Sequence, residues 1–139
     1  MKGKNWMIVI TLILVVMLAG CSSASTELSD QFDEETVKAE AMKSIDLFNS
    51  KDYQGIIDMG SDEMKESITA DEFKKQSDPY LDKNGSFKEI VKTVVLGSEN
   101  KKTNESYGGV VMIGKYENGK IQFTIGFDEE MKLIQFQIK

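Results

Sequence analysis

The sequence contains no histidine and no arginine, and its 139 residues include one cysteine, one proline and one tryptophan. Without histidine the chain lacks the side chain that most often serves as a general base, and without arginine it lacks the bidentate clamp for carboxylates and phosphates. Its 23 acidic residues and 17 lysines give a formal net charge of −6. These absences and this charge predict no nucleic acid partner and no enzyme of the common types.

A short apolar run near the N-terminus, residues 6–19, follows the basic start Met1-Lys2-Gly3-Lys4. The run has 14 residues, whereas a helix that spans a bilayer needs about 20. A basic start followed by a short apolar run is typical of a secretory signal peptide. We therefore expect residues 1–20 to be removed from the mature protein.

The run ends in Leu18-Ala19-Gly20-Cys21, which resembles the lipobox of bacterial lipoproteins. The resemblance implies that the sulfur of Cys21 receives a diacylglycerol and that cleavage leaves Cys21 as the first residue. Because Cys21 is the only cysteine, this attachment would use the one thiol of the chain and leave none for a disulfide. The alternatives are an ordinary signal peptide with an incidental cysteine and an uncleaved signal anchor.

Removal of residues 1–20 leaves 119 residues, enough for one domain, and takes the net charge from −6 to −8 because Lys2 and Lys4 are lost. Anionic lipid repels a domain with this much negative charge. Its attachment to the outer face of the cell membrane should therefore depend on the acyl chains of Cys21. Residues 21–32 are small and polar after the cysteine, and we expect a flexible tether there. The folded domain is predicted to span residues 33–139.

The first half of this domain has helical periodicity. Apolar residues recur at helical spacing over residues 33–49, at Val37, Ala41, Ile45 and Phe48. Asp52 and Ser61 are suited to capping two short helical segments. Thr69 and Glu72 have the spacing of a capping box, which predicts a further helix from about residue 70. Pro79 predicts that this helix ends near Ser77 or kinks there.

The second half changes from a helical period to the two-residue period of strands. We predict strands over residues 87–96, 107–116, 121–127 and 133–138, with Asn118-Gly119 as the hairpin turn between the second and third strands. Helices followed by an antiparallel meander indicate the α+β class.

This order of elements resembles the nuclear transport factor 2-like (cystatin-like) superfamily and, more narrowly, uncharacterised small lipoprotein domains of Gram-positive bacteria. Four segments carry the likeness, within residues 48–53, 85–90, 116–123 and 132–136. The resemblance implies N-terminal helices packed on a curved antiparallel four-stranded sheet that forms a cone. It also implies one of three roles, namely binding a small apolar molecule in the cone, catalysis there, or pairing of the sheet with a partner protein.

Apolar and hydroxyl-bearing side chains suit the lining of such a cone pocket, and the candidates are Tyr53, Phe73, Tyr80, Met112, Tyr116 and Phe127. Acidic residues cluster in residues 62–63 and 128–130. Neither cluster has the alternating acids and glycine of a calcium loop, so we predict no metal and no cofactor.

The sequence thus predicts an extracytoplasmic lipoprotein whose domain is a non-catalytic protein-interaction or ligand-binding module. Its expected partners are the membrane, through acylated Cys21, and an envelope protein or a small apolar ligand. The alternative is a weak enzyme or carrier that acts on a small hydrophobic molecule in the cone. A deep cavity with a carboxylate facing a tyrosine would favour this alternative, whereas a filled core with an exposed apolar sheet face would favour the first function.

Overall fold

A computed structural model describes residues 27–139, in which four helices precede four strands. The helices are α1 (Glu34–Asn49), α2 (Tyr53–Asp58), α3 (Asp62–Ser67) and α4 (Ala70–Asn84), and the strands are β1 (Phe87–Asn100), β2 (Glu105–Tyr116), β3 (Gly119–Phe127) and β4 (Leu133–Ile138). The strands form one curved antiparallel sheet in the order β1-β2-β3-β4. The predicted α+β class, with helices packed on a four-stranded sheet, is confirmed.

The predicted signal peptide, the Leu18-Ala19-Gly20-Cys21 motif and the lipidation site lie outside the described residues. Within residues 27–139, no helix combines the length and the apolar character needed to cross a membrane.

Helix α1 lies against the inner face of the sheet. Asp33 caps its N-terminus by accepting hydrogen bonds from the backbone N–H and the hydroxyl of Thr36, at 3.0 and 2.7 Å, and these bonds lower the pKa of Asp33. The predicted face is buried, and Ser44 joins it by donating its hydroxyl to the carbonyl of Ala41 at 2.6 Å. A serine is tolerated in this apolar layer because its hydroxyl is satisfied within the helix.

Helix α4 begins with the predicted capping box, in which the Thr69 hydroxyl accepts from the Glu72 N–H and the Glu72 carboxylate accepts from the Thr69 N–H. The predicted end near Ser77 is wrong, since the helix continues through Pro79 to Asn84. Proline removes one backbone donor, but Pro79 is exposed while the buried face on either side of it is unbroken. Burial of that face therefore outweighs the cost of the proline.

The β1–β2 hairpin is longer than predicted. Its strands extend through the pair Asn100↔Glu105, so the turn comprises residues 101–104 and does not start at Ser98. Asn100 holds this turn with its backbone carbonyl, which accepts from the Asn104 N–H at 2.7 Å, and with its side chain, which accepts from the Lys102 N–H at 3.0 Å. The residues at the tip of the hairpin are polar because this part of the hairpin is exposed to solvent, and polar residues are also typical of turns.

The β2–β3 hairpin closes one residue earlier than predicted. Glu117 and Asn118 form its loop, and Gly119 already pairs with Tyr116. The Asn118 N–H donates to the carbonyl of Asn84 at 2.9 Å, and a side chain on Gly119 would collide with the Asn84 amide oxygen. Glycine is needed at position 119 for this close approach of α4 rather than for the turn itself.

The two faces of the sheet differ in burial. On the inner face, alternate residues of β2 and β3 are buried against the helices, namely Val110, Met112, Tyr116, Ile121, Phe123, Ile125 and Phe127. On the outer face, Val111, Ile113 and Thr124 are half-buried and Val94 is 42% exposed. The inner face is thus the wall of the core, and the outer face is a solvent-facing surface with several β-branched side chains.

Residues 27–32, hereafter the N-terminal segment, lie against the inner face at one end of the sheet. Phe32 is 7% exposed and Leu28 is partly buried against the core. A Cβ atom on Gly97 would come within 2.7 Å of the Glu27 carbonyl oxygen, so the backbone of the segment lies directly on β1. Packing against the domain therefore starts before the predicted boundary at residue 33, and the predicted tether is shortened at its C-terminal end.

Candidate functional site

Five aromatic rings fill the middle of the space between the helices and the inner face. Phe48, at the end of α1, lies 5.3 Å from Phe123 and 5.8 Å from Phe136 between ring centroids. Tyr53 stacks on Phe73 at 5.5 Å, and Phe73 also lies 5.5 Å from Phe136. We call Phe48, Tyr53, Phe73, Phe123 and Phe136 the aromatic cluster. Edge and tilted contacts at these distances are typical of well-packed aromatic cores.

The six predicted pocket residues occupy different environments. Tyr53 and Phe73 belong to the aromatic cluster, and Met112 and Phe127 are buried in the core. Tyr80 is 36% exposed on α4. Tyr116 lines a cleft at the end of α1. Five of the six are therefore buried, as an apolar stripe would be in any core, and the sequence pattern does not distinguish a filled interior from a hollow one.

A carboxylate does face a tyrosine at the edge of the aromatic cluster. The Tyr53 hydroxyl donates to the Asp78 carboxylate at 2.5 Å, and Lys74 donates to the other Asp78 oxygen at 2.7 Å. Lys51 approaches the same carboxylate at 3.9 Å. Sequence reasoning missed Asp78, because Tyr53 is 25 residues away and only the four-residue spacing to Lys74 could have drawn attention to it.

Tyr53 and Asp78 each favour one protonation state near neutral pH. Burial, followed by the hydrogen bond to Asp78, raises the pKa of Tyr53 above its usual range. Hydrogen bonds from Lys74 and then Tyr53 lower the pKa of Asp78. A general acid or base works best with a pKa near the working pH, and both groups are shifted away from neutrality. The hydrogen bond between the pair holds α2 against α4.

A cleft of about 280 Å³ opens where α1 ends beside the start of β1 and the end of β2, and its lining comprises Asn49, Lys51, Leu81, Asp82, Gly85, Ser86, Phe87, Tyr116 and Glu117. The Tyr116 hydroxyl donates to the amide oxygen of Asn49 in a short hydrogen bond. The amide nitrogen of Asn49 is buried and has no hydrogen-bond partner among residues 27–139. Burial raises the pKa of Tyr116 above its usual range, so its hydroxyl stays protonated near neutral pH.

Charges of both signs border the cleft. Lys51 follows α1 in the left-handed region at φ 61°, a position usually taken by glycine, and its ammonium lies 3.7 Å from Asp82. On the opposite wall, hydrogen bonds from Ser86 lower the pKa of Glu117, which keeps it ionised. Phe87 packs edge-on against Tyr116 at 5.4 Å and gives the cleft an apolar floor. The arrangement suits a polar group with an apolar portion, such as a side chain of a partner protein.

No group of three acidic, histidine or cysteine side chains with the geometry of a metal site occurs between residues 27 and 139. The polar side chains that line the cleft are one lysine, two carboxylates, an amide, a serine hydroxyl and a phenol.

These features define a small α+β domain with an aromatic cluster in its interior and a charged cleft at one end. The chain belongs to the family described as "Protein of unknown function (DUF3887)", which it matches over residues 41–136. It is also similar to a protein from Ruminococcus gnavus ATCC 29149 whose structure was determined by NMR, with 36% identity, a TM-score of 0.72, and coverage of 80% of this chain and 95% of that chain. Comparison with curated proteins gives no match.

The family match includes the aromatic cluster and the cleft, since all of their residues lie between residues 41 and 136. It begins after the N-terminal segment and the first two turns of α1. The segment that leads from the predicted lipid attachment site to the domain thus lies outside the matched region.

Proposed function

We propose that the chain is an extracytoplasmic lipoprotein, held on the outer face of the cell membrane by acyl chains on Cys21, and that its domain binds a partner protein at its surface without catalysis. The lipobox resemblance of Leu18-Ala19-Gly20-Cys21 supports the attachment. The order of helices and strands supports placing the domain among nuclear transport factor 2-like (cystatin-like) folds.

The observation that carries the binding proposal is the aromatic cluster. A carrier of a small hydrophobic molecule needs an internal cavity of several hundred Å³, whereas Phe48 and Phe123, both fully buried, pack against each other between α1 and the inner face. An interior occupied by contacting aromatic rings favours recognition at the surface. The cleft at the end of α1 is a concave part of that surface with charges of both signs, so we place the partner contact there.

The attachment is tested with Cys21→Ser in the full chain, expressed in a Gram-positive host. The unmodified protein should sediment with membranes and incorporate labelled fatty acid, and the variant should do neither. Ser22→Ala, one residue further on, is the matched control and should behave as the unmodified protein. Equal membrane association and labelling of Cys21→Ser would refute the lipoprotein assignment.

The surface-binding proposal is tested by purifying the lipidated protein from its own membranes and identifying what is bound. We expect a stoichiometric protein that is lost with Lys51→Glu, which reverses a charge at the cleft, and retained with Lys43→Glu, which makes the same change at an exposed site on α1. Retention of the protein by both variants would place the contact elsewhere.

A second candidate function is that of a small-molecule carrier or weak enzyme, and the unpaired amide nitrogen of Asn49 beside the Tyr116 hydroxyl is the observation that favours it. A buried donor without a partner is costly unless something satisfies it. Native mass spectrometry of the purified protein separates the candidates, because a bound small molecule without a stoichiometric protein would support the carrier and contradict the surface contact.

A further inference from the structure

The N-terminal segment occupies a slot made by two glycines. Gly97 of β1 and Gly108 of β2 are directly paired in the antiparallel register, and both lie on the inner face. A Cβ atom on Gly97 would lie 3.0 Å from the Cα of Leu28, and one on Gly108 would lie 2.9 Å from the Phe32 ring. Only glycine allows the segment to lie this close to the sheet.

The path of the segment is fixed at both of its described ends. At its start, Glu27 and Leu28 contact Gly97. At its end, the Phe32 N–H donates to the Ser29 carbonyl at 3.0 Å, and Asp33 then caps α1. The chain is therefore held by contacts from Glu27 to the start of α1. The fold thus determines the point at which the chain leaves the domain toward Cys21.

This exit point lies at one pole of the domain, and the cleft lies at the other. The near pole comprises Glu27, the glycine slot and the turn at residues 101–104, and the far pole comprises the end of α1 and the cleft. Helix α1 leads away from the segment for 16 residues, or about 24 Å at 1.5 Å per residue. Strand β2 leads from the turn to Tyr116 over 12 residues, which is about 37 Å.

Five residues separate Cys21 from Glu27, and the six steps from one Cα atom to the next span only about 20 Å even in a fully extended chain. We propose that the domain is held on the membrane in one orientation, with the turn at residues 101–104 toward the lipid headgroups and the cleft facing away from the bilayer. The proposal rests on the acylation of Cys21. It names the membrane-facing surface, which the proposed function alone does not.

The charges of the turn fit a headgroup surface. Lys101 and Lys102 are exposed and the other two residues of the turn are uncharged, so the turn itself carries positive charge within a pole that also holds carboxylates, including Glu27 and Glu129. Anionic headgroups attract such lysines and repel the acidic remainder of the domain. Glu99 and Glu105 flank the turn on the strands, and this limits the favourable contact to the turn itself.

The orientation is tested with the full lipidated chain, in which the Cys21 sulfur is blocked as a thioether and any introduced cysteine is the single free thiol. Lys102→Cys at the near pole and Lys120→Cys at the far pole are matched, because both replace an exposed lysine. Each is labelled with the same fluorophore and reconstituted in phosphatidylcholine–phosphatidylglycerol vesicles that contain a headgroup-linked quencher. We expect position 102 to be quenched several-fold more than position 120.

A Gly/Ser insertion that doubles the number of residues between Cys21 and Glu27 should bring the two quenching values together without releasing the protein from the vesicles. Replacing phosphatidylglycerol with phosphatidylcholine should lower quenching at position 102, since the contact of the remaining turn lysine, Lys101, with anionic headgroups is lost. Equal quenching of the two positions in the acylated protein would overturn the orientation and leave the attachment intact. Absence of labelled fatty acid on Cys21 in the same preparation would overturn both.

Discussion

Replacing Phe32 with alanine tests whether the N-terminal segment is part of the fold or a free tether. The Phe32 side chain is 7% exposed, and its ring lies over Gly108. Truncation of a buried phenylalanine costs about 3–5 kcal/mol. Phe32 lies at the margin of the core on a segment that can shift to fill part of the space, so we expect a cost at or just below the lower end of this range, about 2–3 kcal/mol. For a domain of about 110 residues this corresponds to a fall of roughly 10 °C in the melting temperature.

Thermal and urea unfolding of residues 22–139 is measured with circular dichroism as the signal. Gln31→Ala is the matched control, because Gln31 is the exposed neighbour of Phe32, and a surface substitution of this kind changes stability by no more than about 0.5 kcal/mol. If Phe32→Ala and Gln31→Ala unfold at the same temperature, the segment contributes nothing to the fold, and the point at which the chain leaves the domain is not fixed.

Two further changes probe α4 and the cleft. Pro79→Ala should raise stability by about 1–2 kcal/mol in urea unfolding, because Pro79 is exposed within a helix and alanine restores the missing backbone donor; an unchanged or lower midpoint would contradict this. Burial raises the pKa of Tyr116 above its unfolded value of 10.0, so this tyrosine ionises first in the unfolded state. Its contribution to the free energy of unfolding is fully present below pH 10 and should be lost as the pH rises toward the folded-state pKa. Tyr116→Phe should make the urea midpoint fall less steeply above pH 10, and an equal slope in both proteins would show that this ionisation is not linked to folding.

Local signals in the sequence were enough to predict most of the fold. The capping box at Thr69 and Glu72 and the strict alternation in β3 act over a few residues, and both features occur as predicted. The helix end near Ser77 was mispredicted because proline propensity is a local cost, whereas the burial that overrides it depends on what α4 packs against. Residues 98–100 were assigned to a turn for a similar reason, since polar composition does not reveal that their backbone is paired.

The site was harder to predict because its features depend on distant pairs. The contact between Tyr53 and Asp78 and that between Asn49 and Tyr116 join residues 25 and 67 positions apart, and neither spacing carries a recognisable pattern. The predicted pocket residues were mostly buried as expected of apolar side chains, but whether they surround a cavity depends on ring packing that involves Phe48 and Phe136. The glycine slot likewise becomes visible only when the register pairs Gly97 with Gly108.

The two candidate functions predict different effects on the contacts of the near pole, and this difference can be measured. A small molecule that entered the interior from this end would have to displace Phe32 and Leu28 from their contacts with Gly108, and one that entered the middle would have to part the aromatic cluster. Displacing the N-terminal segment would also free the chain between Cys21 and α1, so the domain would lose its fixed orientation. If the domain is a carrier that loads from this end, ligand binding should therefore reduce the difference in quenching between positions 102 and 120. If it is a surface-binding domain, the difference should persist when its partner is added. The same labelled proteins thus distinguish the orientation from the function, because loss of the difference on addition of a small molecule would support the carrier.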